Sequence, residues 1–489
     1  MDRTSGKREV EGRLAGTDTA ATRSVTVDGE LVSRSRELED VSFGAIAAAD
    51  VDGVDADTAA EANQTDRARI QWAAPDGLEL VGRGVAARFV ATGPERFAAI
   101  RRQASRAFDG LEHDGPEVAR PRAVGGFAFH DYHAADRTDS DDSDSTARST
   151  PNPQPNWDDF DAASFVIPRV FVVRSDGEGT WLTAVGTDAG EATARLERWH
   201  DRIADLPAMQ PSGAGPGVAA THRTTAPEEW RTGIEAALER IADGRLTKVV
   251  LAQALSVALE GPIDVGATLE RLRREYPNCY RFRIGREGGV TFFGAPPERL
   301  VAKRGPRVAT EALAGSAPRG ETPDEDQQHA DRLLESDKLR REHELVVDAI
   351  RDQLAPLARD LEIDGRTIRK LATIQHLRTP IEATLDGDRH VLEIVEALHP
   401  TPAVGGMPPD AAWETIRETE PFDRGWYAAP VGWFDADGDG EFAVGLRSGI
   451  ATDEAVTLFA GSGIVADSDP DEEWEEVQLK FRPILDELR

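Results

Sequence analysis

Very little in this sequence can cross-link it or hold a soft metal. Among 489 residues there is one cysteine, Cys279, which excludes an internal disulfide framework and any multi-cysteine zinc site. No run approaches the roughly 20 apolar residues of a membrane-spanning helix, and mean hydropathy is -0.44. The opening stretch, MDRTSGKREVEGRLAG, has no apolar core of the kind a secretory signal carries, so cytoplasmic residence is the expectation. Positive charge is scarce as well. Lys+Arg total 57 against 89 Asp+Glu, a formal net charge of -32. Such a field repels nucleic acid and anionic lipid, so neither is an expected partner. Lysine is the rarest cation, found only at Lys7, Lys248, Lys303, Lys338, Lys370 and Lys480. An acid-rich, lysine-poor surface suits a protein kept soluble at high salt, and a halophilic source is expected. Where arginine is the default cation, a lysine marks a place that needs a group able to lose its proton.

What is present becomes clearer along the chain. Residues 1–66 are acidic with little periodicity and read as largely disordered, with one strand around Val25 to Val32. From Ile70 to Leu111 the spacing predicts a strand, LELVGRGVAARFV, then a helix from Pro94. The low-complexity run Ala134 to Asn156 reads as a solvated acidic loop between strands at Gly125–Phe129 and Ser164–Val173. A polar joint at Met209 to Ala219 precedes the informative half. There, Trp230, Ile234, Ala237 and Ile241 share one helical face over Thr225 to Gly244, with Gly244 able to close it. A strand follows from Lys248 to Leu259, with bulky residues at odd positions and Lys248 on the less bulky face.

Two later helices carry charge on an inward face. In a long helix expected over Pro323 to Leu354, Glu342 falls within the stripe Leu339, Val346 and Ile350. Burying a carboxylate alone costs several kcal/mol, so Glu342 needs either an arginine partner or a functional cation. In the C-terminal helix, Asp469 is the expected N-cap, Pro470 the first helical residue and Glu472 the far side of a capping box. Glu473, Glu476, Val477, Lys480 and Ile484 then share one side; pairing of Glu476 with Lys480 at the surface is the simpler explanation for two of them. Carboxylates converging from two helices without histidine or cysteine suit a hard ion such as Mg²⁺ and an anionic ligand bridged by it.

Nine segments then occur in one order: TKVVLAQAL, FFGAPPERLV, EALAGSAPRG, SDKLRREHELVV, IQHLRT, LHPTPAVGG, FDRGWYAAPVGW, FAVGLRSG and AGSGIVADSDPDEEWEEVQLK, from Thr247 to Lys480. Together they resemble the chorismate-utilising enzymes, which include isochorismate, salicylate, anthranilate and aminodeoxychorismate synthases. The resemblance implies an α+β fold of two packed antiparallel β-sheets with helices outside and the site in a cleft. It makes 67–215 the N-terminal part of that fold and 220–489 the chorismate-binding catalytic region. It places metal ligands at Glu342 and Glu476, with Glu473 close by. Binders of the substrate carboxylates fall at Tyr427, Arg447, Lys480 and the backbone of Gly461 and Gly463, in a segment read as a glycine-rich turn. His376 and Ala403 fall in the cleft, His376 without a proton-transfer role.

The same resemblance makes Lys248 the base that activates water at ring C2 and Glu298 the acid that protonates the hydroxyl leaving C4. Burial moves both groups the required way, lysine toward neutral and glutamate toward protonated. An ion pair of Glu298 with Arg299 is the structural alternative. Ala314 stands where aminodeoxychorismate synthases carry a nucleophilic lysine, and Lys248 where anthranilate synthases usually have glutamine. The expected activity is therefore Mg²⁺-dependent interconversion of chorismate and isochorismate, of the menaquinone-pathway kind, with no obligatory glutaminase subunit. Salicylate synthase is the runner-up, which Ala403 argues against. An anthranilate synthase component and a silent chorismate-binding subunit stand further off.

Overall fold

The computed structural model of the chain describes residues 30–39, 41, 43–48, 67–75, 77–131, 155, 157–206, 214–371 and 374–489. The acidic run from Ala134 to Asn156 lies outside these, Pro155 excepted, as does most of the strand expected at Val25 to Val32. Ordered structure nevertheless starts well before the boundary expected at residue 66. β1 (Leu31–Glu37) and α1 (Phe43–Ala48) are both formed. Phe43 and Ile46 of α1 bury against Leu182, Leu196 and Ile203, a small core of their own.

All 21 strands among the described residues belong to one hydrogen-bonded sheet, and two of them join its halves. These are β3 (Glu79–Ala91) and β6 (Ala163–Ser175), paired antiparallel along their length. From β3 the sheet runs through β2 (Arg69–Ala73), β10 (Arg281–Gly285), β11 (Thr291–Gly294), β20 (Ser448–Ala451) and β21 (Ala455–Ile464) to β9 (Lys248–Leu259). β8 (Val218–Arg223) and β17 (Gly406–Met407) complete that end. From β6 it runs through β5 (Ala123–Phe127), β18 (Pro430–Phe434), β19 (Gly440–Val444), β12 (Arg299–Arg304) and β13 (Arg307–Pro318) to β16 (Ile374–Leu385). β14 (Ala358–Ile363) and β15 (Thr367–Lys370) lie beyond it. The far length of β6 carries β7 (Gly179–Gly186) and then β1, against which β4 (Leu111–Asp114) runs parallel. Aromatic side chains of connecting segments pack onto the β11–β21 half: the Trp426 ring lies 6.3 Å from Phe292, and Trp157 contacts both Phe292 and Phe459. This is the α+β arrangement of two packed antiparallel layers expected from the sequence, here continuous through β3 and β6.

Helices cover the outside. α2 (Arg96–Asp109) buries Phe97, Ile100 and Phe108, and α3 (Ala189–Ala204) is capped by Asp188, which accepts the Glu191 N–H. α4 (Pro227–Ala242) buries Trp230, Ile234 and Ala237 as the spacing predicts, and Gly244 closes it at φ 73°. α5 (Val265–Glu275), α8 (Val391–Leu398) and α9 (Pro409–Thr419) complete this layer. The long helix expected over Pro323 to Leu354 is two helices, α6 (Pro323–Glu335) and α7 (Asp337–Leu354). Ser336 has extended backbone (ψ 115°) and its hydroxyl accepts the Leu339 N–H at 3.3 Å, so it ends one helix and starts the next. A continuous periodicity hides such a break because the serine cap costs the apolar stripe nothing. α10 (Pro470–Leu488) begins as expected, with Asp469 Oδ1 accepting the N–H groups of Asp471 and Glu472. The Glu472 side chain does not complete a capping box; it lines the cavity described next.

Candidate active site

Between the halves lies a cavity of about 270 Å³, lined from β9, the PPERL segment, β13, α7, β16, β21 and α10. Lys248, Glu298, Glu342, Glu473, Glu476, Lys480, Tyr427, Arg447, Gly461, Gly463, His376 and Ala403 all line it. Residues from positions 248 to 480 are thus gathered on one surface, although nothing but motif order linked them in the sequence. Three of the five lysines among the described residues (Lys248, Lys338 and Lys480) line this cavity.

Lys248 opens β9 and is 3% exposed; its Nζ donates to Glu342 Oε1 at 2.9 Å. The backbone around it is held from both edges. Thr247 N–H donates to Met407 O at 2.7 Å and Val250 N–H to Gly405 O at 2.9 Å. Gly406 sits at φ 142°, where an added Cβ would lie 2.3 Å from Lys248 O, so the glycine is required for this approach. Across β9, the AGSG segment expected to be a turn is instead an interior stretch of β21, with Gly461 opposite Ala252 and Gly463 opposite Val250. Its glycines make room for side chains: a Cβ on Gly463 would meet Lys248 Cε at 3.0 Å, and one on Gly461 the Tyr427 hydroxyl at 3.2 Å. Beneath β9, the buried Arg424–Glu420 pair fixes the strand, Arg424 donating to Val250 O and Glu420 accepting from Ala252 N–H.

Glu298 lies at the entry to β12 and is buried. Burial pushes its carboxyl up to about 8, helped by Glu311 and opposed by Lys248 and Arg369. The alternative of a pair with Arg299 is not what forms: Arg299 Nε donates to the Tyr280 hydroxyl at 2.9 Å and approaches Glu441. Glu298 is therefore a neutral carboxylic acid near pH 7, facing the cavity.

The acidic end is built by α7 and α10. Lys480 Nζ lies 2.8 Å from Glu476 Oε1 and also donates to Gly461 O at 2.8 Å, so the i to i+4 pair exists but lines the cavity. Lys480 draws the Glu476 carboxyl down to about 2. The Ser462 hydroxyl lies within hydrogen-bond reach of both Glu473 and Glu476, the latter at 3.1 Å, and Ser316 donates to Glu476 Oε1 at 3.2 Å. Burial raises the Glu473 carboxyl, and Glu476 adds to the rise. His376 is half-buried, and desolvation first, then Arg447 and Lys480, drives its ring down to about 3. Tyr427 stacks on Phe459 at 5.2 Å. Arg447 and Ala428 are the two non-glycine residues with left-handed backbone among those described (φ 45° and 60°), and both line the cavity.

A family model described as chorismate binding enzyme matches residues 41–489. The chain belongs to the chorismate-binding enzyme family. Within that family it is 37% identical over 335 residues to the isochorismate synthase MenF of Bacillus subtilis, covering 68% of this chain and 71% of the relative. It is 35% identical over 424 residues to the salicylate biosynthesis isochorismate synthase of Pseudomonas aeruginosa, covering 86% and 84%. The solved structure of MenF, the menaquinone-specific isochorismate synthase of Escherichia coli, superposes with a TM-score of 0.74 at 26% identity, covering 94% of this chain and 95% of that one.

The residues fit the divalent ion expected for a chorismate-binding enzyme. Glu342, Glu473 and Glu476 face one cavity, and two of them are matched by ammonium groups, which marks an excess of carboxylate. Among the described residues no three His, Cys, Asp or Glu side chains gather closely enough to hold a metal by themselves. Sequence reasoning missed Ser316, Ser462 and the Arg424–Glu420 pair. Both serines sat inside quoted glycine-bearing motifs, but only pairing across β9 and α10 gives them carboxylate partners.

Proposed function

We propose that this chain is a Mg²⁺-dependent isochorismate synthase of the menaquinone pathway, a soluble isomerase that interconverts chorismate and isochorismate. The observation that carries the reading is a buried Glu298, its carboxyl pushed up by burial, and a buried Lys248 on walls of the same cavity, which Glu342, Glu473 and Glu476 also line. Glu342 and Glu476 would hold the ion, with Glu473 beside them; bound there, it would supply positive charge for the substrate's carboxylates. Arg447, Lys480 and the Tyr427 hydroxyl would bind those carboxylates from the other walls.

Lys248 would accept a proton from water as its oxygen bonds to ring C2. The ring double bonds shift, the C4–O bond breaks, and the Glu298 proton goes to the departing hydroxyl, which leaves as water. One proton is taken and one given, so the net change is an isomerisation. Lys248 donates to Glu342, and an amine so engaged is not poised to accept a proton. Glu342, were it to hold the ion, would release Lys248 for that role.

The test is incubation of the full chain with chorismate and Mg²⁺ and identification of the product. Isochorismate alone supports the reading. Salicylate with pyruvate would assign it to the lyase reading, and anthranilate formed with ammonia to amination.

A further inference from the structure

The cavity wall behind the acid contains a charge arrangement the reaction above leaves unused. Glu311 on β13 has a side chain 3% exposed, and both its oxygens are taken: Arg369 Nη1 donates to Oε1 and Arg378 Nε to Oε2, each at 2.5 Å. Arg369 is held from behind, its Nη2 donating to Asn278 O at 3.0 Å. β12 and β13 are neighbouring strands with Ala302 opposite Ala309, and Thr310 Oγ1 donates to Leu300 O at 2.7 Å. Glu298 and Glu311 thus sit on adjoining lengths of one strand pair. The Glu298 carboxyl makes no hydrogen bond or ion pair with any described residue. The charges that act on it are Glu311 from β13, Arg369 from β15 and Lys248 from β9.

A guanidinium never loses its charge at accessible pH, and it pairs readily with a carboxylate through two parallel bonds. Left free in a buried wall beside Glu298, Arg369 would take that carboxyl as its partner and hold it ionised. We propose that Glu311 is a positioning residue for the acid step: by occupying Arg369 it keeps that guanidinium off Glu298 and leaves the carboxyl free to carry its proton. This rests on Glu298 being the acid in the function proposed above. The sign follows directly. Neutralising Glu311 removes a negative neighbour and uncovers a positive one, so Glu298 ionises at lower pH.

The experiment is the pH dependence of kcat/KM from pH 5.5 to 9.5 for the full chain with chorismate and Mg²⁺. In Glu311→Gln the alkaline fall should begin at least about one pH unit lower than in the wild type, with a tenfold greater loss at pH 8.5 than at pH 6. Adding Arg369→Gln to that variant should return the fall toward its original position. A merely structural Glu311 would lower activity by one factor at every pH and leave the limb in place, which overturns the proposal. Should Glu311→Gln not fold, Arg369→Gln alone must move the limb upward; a limb that stays or descends is equally fatal. Glu298→Gln separates the two levels. If it keeps wild-type activity, the acid assignment itself fails. If it is inactive while the Glu311→Gln limb stays put, only this inference does.

Discussion

Lys248 and Glu342 form a buried ion pair, 2.9 Å from Nζ to Oε1, between the first residue of β9 and the second turn of α7. The sequence had offered Glu342 an arginine or a metal; it has Lys248 instead. A buried pair broken on one side leaves an uncompensated charge, at about 3–5 kcal/mol. Lys248→Ala is therefore expected to lower the melting temperature in the absence of divalent ion, and Mg²⁺ should restore more stability to this variant than to the wild type. Thermal melts with and without Mg²⁺ check this. Turnover should fall roughly 10²–10⁴-fold, the usual contribution of a general base, with chorismate binding retained.

Glu298 makes stability depend on pH in the less common direction. Its carboxyl ionises near 8 in the folded chain, above the ordinary value near 4.3 of the unfolded one. Between those values the folded state holds the extra proton, so stability falls as pH rises through the window. Glu298→Gln removes this decline. Denaturant melts at pH 5 and pH 8 should show the wild type losing more stability than the variant, by on the order of 4 kcal/mol. Parallel losses in the two proteins would contradict a buried neutral acid.

Gly463 tests the space around the base. Gly463→Ala places a Cβ 3.0 Å from Lys248 Cε, on a flexible side chain that can shift. Activity should drop about tenfold or more, since small misplacements of a reacting group are costly, while stability changes by less than about 1 kcal/mol. Gly406→Ala should behave oppositely, with backbone strain and a 2.3 Å contact to Lys248 O lowering the yield of folded protein. Comparing kcat with the melting temperature distinguishes the two.

Glu476→Gln should weaken Mg²⁺ binding about 10–100-fold in equilibrium dialysis, because Ser462, Ser316 and Lys480 all orient that carboxylate. His376→Asn should leave the pH profile between 5 and 8 unchanged and act on KM, because desolvation and the nearby Arg447 and Lys480 drive the ring down to about 3. Appearance or loss of a limb near pH 6 would give His376 a proton-transfer role after all.

Much of the fold was legible where both faces of an element repeat regularly. β9 was read to its ends, α4 to within two residues, and the start of α10 down to its cap. Motif order carried the site residues, and each of them lines one cavity. What could not be read depends on partners distant in sequence. AGSG looks like a turn by composition and becomes strand because β9 supplies a ladder for it. The Ser336 break between α6 and α7 leaves the helical repeat undisturbed, and the folded segment from Leu31 is acidic and short until β7 pairs with it. The clamp on Glu311 draws on β13, β15 and β16, three strands that only the register brings together.

Lys248 stands on one half of the sheet and Glu298 at the edge of the other, yet an unbroken series of strand pairings leads from β9 round to β12. The two walls of the cavity are thus carried by one continuous ladder, and the spacing between Lys248 and Glu298 is inherited from folding. Altering the choice of substrate then means recutting the walls.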